Sequence, residues 1–342
     1  MAPKDNATYP AYQPNPDVQK LWPGISGNEI NGLGETESAP PRPVFWRSDG
    51  STPHAPVMFY FYEKDKDNAA ITEARKYRQR ASDIQIRDIA EDQIERTAAQ
   101  WTPLLKAAAL EAGADDVGIC AWHKEWAYPD RPAPQGKWAI LLAYAHDYEN
   151  LKAAPADTAY IEVMAQYERA GNTAKILANW IRGLGHFAEP KTGPMTEDVL
   201  MIPPAIAAGI GELGKHGSLI HKEFGSNFRL SMVLTDMPLT PDAPEVFGAD
   251  MFCQSCQVCT NACPPEAIFR EKQMVRGKRK WYVDFDLCVP YFVDNLTCGI
   301  CLAVCPWSRP GVAQNLVTKM ARRLQATEDA PPHPQQTRSG NE

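Results

Sequence analysis

C-Q-S-C-Q-V-C-T-N-A-C-P, Cys253 to Pro264, and C-G-I-C-L-A-V-C-P, Cys298 to Pro306, are the stretches whose reading decides what this chain is. The first has the C-x2-C-x2-C-x3-C-P spacing at which three thiolates hold one iron–sulfur cube and the fourth reaches a second. Two-residue gaps let a tight turn aim successive thiolates at one cluster, and the proline keeps the following chain from closing over it. Cys298, Cys301 and Cys305 add three more thiolates, and Cys288 is the nearby cysteine that completes eight. The expected assignment is Cys253, Cys256, Cys259 and Cys305 on one [4Fe–4S] cluster, with Cys263, Cys288, Cys298 and Cys301 on the other. A disulfide framework needs an oxidising compartment and suits much smaller chains. Structural zinc separates its C-x2-C pairs by a longer insert and ends no run in Cys-Pro.

Outward from this block, 342 residues with 44% hydrophobic content can bury a sizeable core and suggest two principal domains. A net charge of −7 gives no reason to expect a polyanion as partner, so nucleic acid is not expected. Met1 to Tyr12 is polar, without the apolar h-region of a signal peptide or a twin arginine. No apolar run approaches the roughly 18 residues that span a bilayer. The expectation is a cytoplasmic protein with no membrane partner.

The expected organisation is an arm and extension over 1–95, an α+β domain over 96–246, a two-cluster domain over 247–322 and an unstructured tail over 323–342. Tyr9, Tyr12, Leu21 and Trp22 are the candidate anchors of the arm. Val44 to Tyr62 reads as extended, and Lys64 to Asp92 as charged and partly helical. Ile94 to Ala112 has a helical apolar period, with Trp101, Leu104, Leu105 and Ala108 on one face and Gly113 as its stop. Val117 to Trp122 and Trp138 to Tyr144 read as buried strands. Asp157 to Leu184 reads as a long helix capped by Asp157 and ended by Gly185. Pro203 to Gly225 reads as a glycine-rich loop, and Phe228 to Leu234 alternates as a strand.

The globular part ahead of the clusters should hold an electron acceptor. It carries no G-x-G-x-x-G on a strand–helix turn and no haem-attachment motif. It does carry A-G-I-G-E-L-G-K-H-G-S-L-I-H-K-E-F-G-S-N-F-R-L-S-M-V-L-T-D-M-P-L, Ala208 to Leu239. Together with the cysteine pattern, this segment resembles the cobalamin-dependent reductive dehalogenases and the related epoxyqueuosine reductases, over roughly Trp101 to Pro306. The short span from Cys288 to Cys298, and K-W-Y-V-D-F-D-L-C-V-P-Y-F from Lys280 to Phe292, resemble the dehalogenase branch. The acidic charge also argues against a tRNA-modifying enzyme.

That resemblance implies a nitroreductase-like cobalamin-binding domain followed by a bacterial ferredoxin-like domain with two clusters. It implies reductive dehalogenation of a small, aromatic organohalide, with Co(I) as reductant and a separate ferredoxin or flavodoxin as donor. It also implies a cytoplasmic catabolic type without a fused reductase module. The implied catalytic pair is Tyr167, as proton donor, with Lys215 as its cation; Tyr160, two turns earlier, is the alternative acid. Gly214, His216, Gly217, Ser218 and Arg229 are the implied cofactor contacts, the glycines letting backbone approach a flat corrin. Cys120 reads as a buried strand residue. The basic run Arg270 to Lys280 is a candidate dock for an acidic donor. An epoxyqueuosine reductase, or a ferredoxin-like relay subunit with no chemistry of its own, remain the alternatives.

Overall fold

In the computed structural model, residues 12–80, 83–192 and 198–328 are described. The first part of the chain is organised on a four-stranded sheet of Asp116–Ala121, Trp138–Ala145, Ala188–Thr192 and Phe228–Thr235. The spatial order is first, second, fourth, third, and every neighbouring pair is antiparallel. The second strand, W-A-I-L-L-A-Y-A, reads as an unbroken apolar run because both faces of the sheet are covered. Ile140, Leu142 and Tyr144 point to one face with Val117, Ile119 and Val233, against Trp101, Leu105 and the later half of the long helix. Ala139, Leu141 and Ala143 point to the other with Met232 and Leu234, against Val199, Ala205 and Ile210.

The long helix is Asp157–Gly183, and at 1.5 Å per residue it runs about 40 Å. Its N-cap is Ala156, without a side-chain cap, so Asp157 is the first helical residue rather than the cap. Asp157 instead accepts a hydrogen bond from Asn68. Gly185, at φ +84°, ends the helix in a conformation that an L side chain rarely takes, and a Cβ there would lie 2.5 Å from Gln93. The helix serves two surroundings. Ala170, Ala174, Leu177, Ala178 and Ile181 press on the sheet, whereas Tyr160 and Met164 join a second core with Phe45, Met58, Phe61, Val289 and Val293.

Residues 44–62 depart from the expected extended form. Ala55–Lys64 is a helix, with Pro56 in its first turn. Its β-favouring residues sit in a helix because Val57, Met58 and Phe61 recur at helical spacing and are all buried, and tertiary packing overrides propensity. Ala69–Arg80 is a helix within the charged segment. The glycine-rich stretch is more ordered than expected, with a helix over Ile202–Ala207 and two-residue strands Glu212–Leu213 and Leu219–Ile220.

The cysteine region is built from short helices, Ala249–Ser255, Val258–Ala262, Phe285–Asp294 and Ile300–Ala303, packed beside Trp281, Trp307 and Met320. The arm wraps this region. The Gly27 amide donates to Asp286, Asn28 donates to Asp284, and Tyr282 donates to Asn28. Trp22 reaches the second core and the Tyr12 hydroxyl meets Asp294, but Leu21 is exposed and anchors nothing. The Tyr9 anchor lies outside the described residues. The expected tail begins too early, because Ala313–Glu328 is a helix that packs on the cysteine region through Met320; residues 329–342 lie outside the described residues. Among the described residues, no helix is long and apolar enough to cross a membrane.

Candidate active site and cluster sites

The eight cysteines fall into two groups. Cys253, Cys256, Cys259 and Cys305 line one small cavity, closed by Lys215, His216, Phe252 and Trp307. Cys263, Cys288, Cys298 and Cys301 lie within electrostatic reach of one another. Among the described residues no three His, Cys, Asp or Glu side chains close on a single ion-sized point. The first group therefore surrounds a space, as ligands of a cube do, rather than a zinc-sized centre, whose sulfurs would each stand about 2.3 Å from it. Burial pushes the Cys253, Cys259 and Cys288 thiols up to about 12, so it is metal coordination that would make them thiolates. Backbone amides already point at the sulfurs, Lys215 N–H at Cys253 (3.5 Å) and Ala267 N–H at Cys263 (3.4 Å). Cys120 stands apart, 3% exposed in the sheet core, with its thiol donating to the Pro204 carbonyl.

A cavity of about 370 Å³ lies between the long helix and the second cysteine group. This size suits a small ligand. Trp46, Phe61, Tyr62 and Phe292 form an aromatic wall, Tyr160, Met164 and Tyr167 project from the long helix, and Leu296 to Gly299 form a ledge that ends the cavity at Cys298. Leu296, Thr297 and Cys298 take φ of +45°, +68° and +54°. Three successive non-glycine residues in the left-handed region store strain of about 1 kcal/mol or more each. The next residue, Gly299, has φ of +83°, and a Cβ there would stand 3.6 Å from the Ala154 side chain.

Tyr167 meets Arg229 in this cavity. The Arg229 Nη1 donates to the Tyr167 hydroxyl at 2.8 Å, and the guanidinium carbon lies 4.1 Å from the ring centroid. Strand register explains the meeting. Ile140, Leu142 and Tyr144 pair with Val233, Ser231 and Arg229, so Arg229 projects from the sheet face that the long helix covers. The Arg229 Nε is buried with no hydrogen-bond partner among the described residues, a donor at the cavity wall. Tyr160 also lines the cavity, but Arg75 donates to its hydroxyl (3.3 Å) and to the carbonyls of Tyr62 and Phe61. Burial pushes the Tyr160 phenol up, only partly opposed by Arg75, which makes it a poor acid.

The expected Tyr167–Lys215 pair does not form. Lys215 is buried against the first cysteine group, its ammonium donating to the Arg270 carbonyl at 3.0 Å and lying 4.8 Å from the Trp281 ring centroid. Gly214, His216, Gly217 and Ser218 go with it. A Cβ at Gly214 would strike the His216 ring at 2.7 Å and one at Gly217 would stand 3.1 Å from Val283. These glycines let the loop close upon the protein, not on a planar ligand. Of the implied cofactor contacts, Arg229 alone lines the cavity. The basic run forms a hairpin, Gln273–Val275 with Lys278–Lys280, that the arm covers through Gly34 and the Leu33–Val275 bridge. Arg276 donates to the Pro40 carbonyl and Lys272 pairs with Asp250, while Lys278 and Arg279 stay exposed at the hairpin tip. Sequence reading missed Trp46, Phe61, Tyr62, Arg75 and the ledge. The aromatic density of 44–62 was the available signal, and misreading its period hid it.

Comparison with known proteins follows the same geography. Residues 252–308 match the family described as 4Fe-4S dicluster domain, so the cysteine region binds two [4Fe–4S] clusters. The chain is 31% identical over 210 residues to a tetrachloroethene reductive dehalogenase of Desulfitobacterium hafniense, covering 57% of this chain and 37% of that protein. It is 30% identical over 155 residues to an epoxyqueuosine reductase of Atelocyanobacterium thalassa, covering 40% of this chain and 45% of the relative. The fold is similar to that of a catabolic reductive dehalogenase solved with 3-bromo-4-hydroxybenzoic acid, with a TM-score of 0.70 and 22% identity over 86% of this chain and 46% of the other. This chain thus spans little more than a third of the dehalogenase relative and just under half of the solved dehalogenase.

Proposed function

We propose that this chain, a relative of the reductive dehalogenases, carries the reducing site of a corrinoid-dependent enzyme that converts a carbon–halogen bond into carbon–hydrogen. The balance is one organohalide, two electrons and one proton in, the reduced product and one halide ion out. One observation supports it most: a tyrosine held by a guanidinium faces a cavity whose far end is a cluster ligand, Cys298. A redox cofactor that takes electrons from a cluster and works beside a proton donor fits such a slot. The ledge at Gly299, the aromatic wall and the unpaired Arg229 Nε are compatible with a flat ring and a small substrate.

When bound, a corrinoid would supply reduced cobalt as the two-electron reductant of carbon–halogen cleavage. Tyr167 gives its hydroxyl proton to the carbon that loses halogen, and Arg229 stabilises the phenolate left behind. Trp46, Phe61, Tyr62 and Phe292 hold an aromatic ring and exclude water. Cys253, Cys256, Cys259 and Cys305 would hold the cluster remote from the cavity and Cys263, Cys288, Cys298 and Cys301 the one beside it, and the pair would supply the electrons at the ledge. We assign the supply to a separate ferredoxin- or flavodoxin-type donor, and the protein to the cytoplasm, where such thiolates stay reduced until metallated.

Cluster-loaded protein reconstituted with a corrinoid, given reduced viologen and a bromophenol, is expected to release bromide. Epoxyqueuosine turnover without any halide release would overturn the assignment in favour of the other related family.

A further inference from the structure

The G-K-H-G loop that fails to reach the cavity has another task. Lys215 is 1% exposed, and its contacts are the neutral Arg270 carbonyl and the Trp281 ring. A buried ammonium needs a counter-charge, and the groups that share its cavity are Cys253, Cys256 and Cys259, which become negative when they ligate a cluster. Its own backbone N–H points at the Cys253 sulfur. The next residue, His216, accepts the Ser218 N–H at Nδ1, which places its proton on Nε2, 2.8 Å from the Ser226 hydroxyl oxygen. The Ser226 hydroxyl proton is thereby turned outward, to Cys305. An ammonium, a hydroxyl and the backbone amides of Lys215, Thr260, Trp307 and Ser308 thus face the thiols of the cluster remote from the cavity. The charges acting on Cys288, Cys298 and Cys301, in the cluster beside the cavity, include no cation.

We infer that Lys215 is the built-in counter-charge of the remote cluster and holds its reduction potential above the value it would otherwise have. Accepting one electron from the external donor makes a [4Fe–4S] centre one unit more negative, with no proton taken up. A fixed buried cation favours that reduced form, and net charge and hydrogen bonds to sulfur are the levers that set such potentials. The inference needs the two-cluster assignment only, and it stands or falls independently of corrinoid chemistry.

The test is an EPR-monitored redox titration of cluster-loaded protein without corrinoid, for wild type, Lys215→Met, Lys215→Arg and the exposed control Lys278→Met. In Lys215→Met, the one-electron equilibrium of one cluster should move at least tenfold toward the oxidised form, about 59 mV. The other cluster should stay in place, and Lys215→Arg and Lys278→Met should titrate like wild type. If Lys215→Met loads only one cluster while Lys215→Arg loads both with wild-type midpoints, the need for the charge is likewise supported. Unmoved midpoints in Lys215→Met, or equal damage from Lys215→Arg, would overturn the inference and leave Lys215 a packing residue.

Discussion

Arg229 touches Tyr167 at both ends of the phenol, its Nη1 2.8 Å from the hydroxyl and its guanidinium carbon 4.1 Å from the ring centroid. The phenol and the guanidinium are therefore held as a unit by two elements that pack face to face, the fourth sheet strand and the long helix. Tyr167→Phe keeps the ring stack and removes the proton. Turnover should fall by roughly 10²–10⁴, the range for a lost general acid, with both clusters retained by iron content and visible spectrum. Tyr160→Phe, which removes a hydroxyl engaged by Arg75, should cost about 1 kcal/mol of stability and less than tenfold in rate. Retained activity in Tyr167→Phe with loss in Tyr160→Phe would exchange the two roles.

Arg229→Gln leaves the phenolate without its cation, and the rate constant should drop roughly 10²–10³-fold, the range for removing a donor aimed at developing charge. Arg229→Lys keeps a positive charge without the planar stack and should recover part of that loss. Steady-state kinetics of the two variants on one bromophenol separate charge from shape. Equal losses in both would show that packing over the ring, and not the charge, is what matters.

Cys288 completes the second group of four thiols although it sits in a helix, Phe285–Asp294, outside both cysteine runs. Cys288→Ala should lower iron from about eight to about four per chain. Cys120→Ala should leave it unchanged, because Cys120 belongs to the sheet core. Full iron in Cys288→Ala would require another residue to close the second cluster.

His146 and Glu162 are buried together near Arg229, with His146 Nδ1 3.6 Å from the carboxylate, too far for a hydrogen bond. Burial pushes His146 below its usual value of 6.5 despite Glu162. Burial would raise the Glu162 carboxyl, yet His146, the Asp147 amide and Gln166 outweigh it and hold the group at about 2. Near pH 6 the unfolded chain therefore takes up a proton at this histidine that the folded chain resists, so stability falls as pH drops through 6.5, by at most about 1.4 kcal/mol per pH unit. Relative to wild type, the stability deficit of His146→Gln should be constant above about pH 7 and narrow below 6.5 in denaturant titrations. A deficit that widens on acidification would mean a charged His146 paired with Glu162.

Much of this was legible because local spacing encodes it. The cysteine runs mark the clusters through ligand geometry that is short-range in sequence. The strands and the long helix follow from apolar period, whereas Tyr167 was singled out only through the family resemblance. Lys215 was misassigned because a loop cation carries no sign of direction; only the closure of Gly211–Ser218 on the cysteines decides it. Arg229 was named as a ligand contact, but its partnership with Tyr167 depends on the register of Tyr144 against Arg229, a long-range pairing. The aromatic wall was hidden because V-M-F-Y-F-Y has strand-like composition and becomes a helix only through the partners that bury Val57, Met58 and Phe61.

The central claim is that this chain binds a corrinoid beside the cavity between Tyr167 and Cys298, and equilibrium binding tests it most directly. Cluster-loaded protein titrated with a corrinoid, followed by its visible spectrum and by retention through gel filtration, should bind about one equivalent. The substitution Val163→Trp, which adds bulk to the cavity wall on the long helix, should weaken that binding while iron content stays near eight. Cluster-replete protein that binds no corrinoid would contradict the account and reduce the chain to an electron carrier.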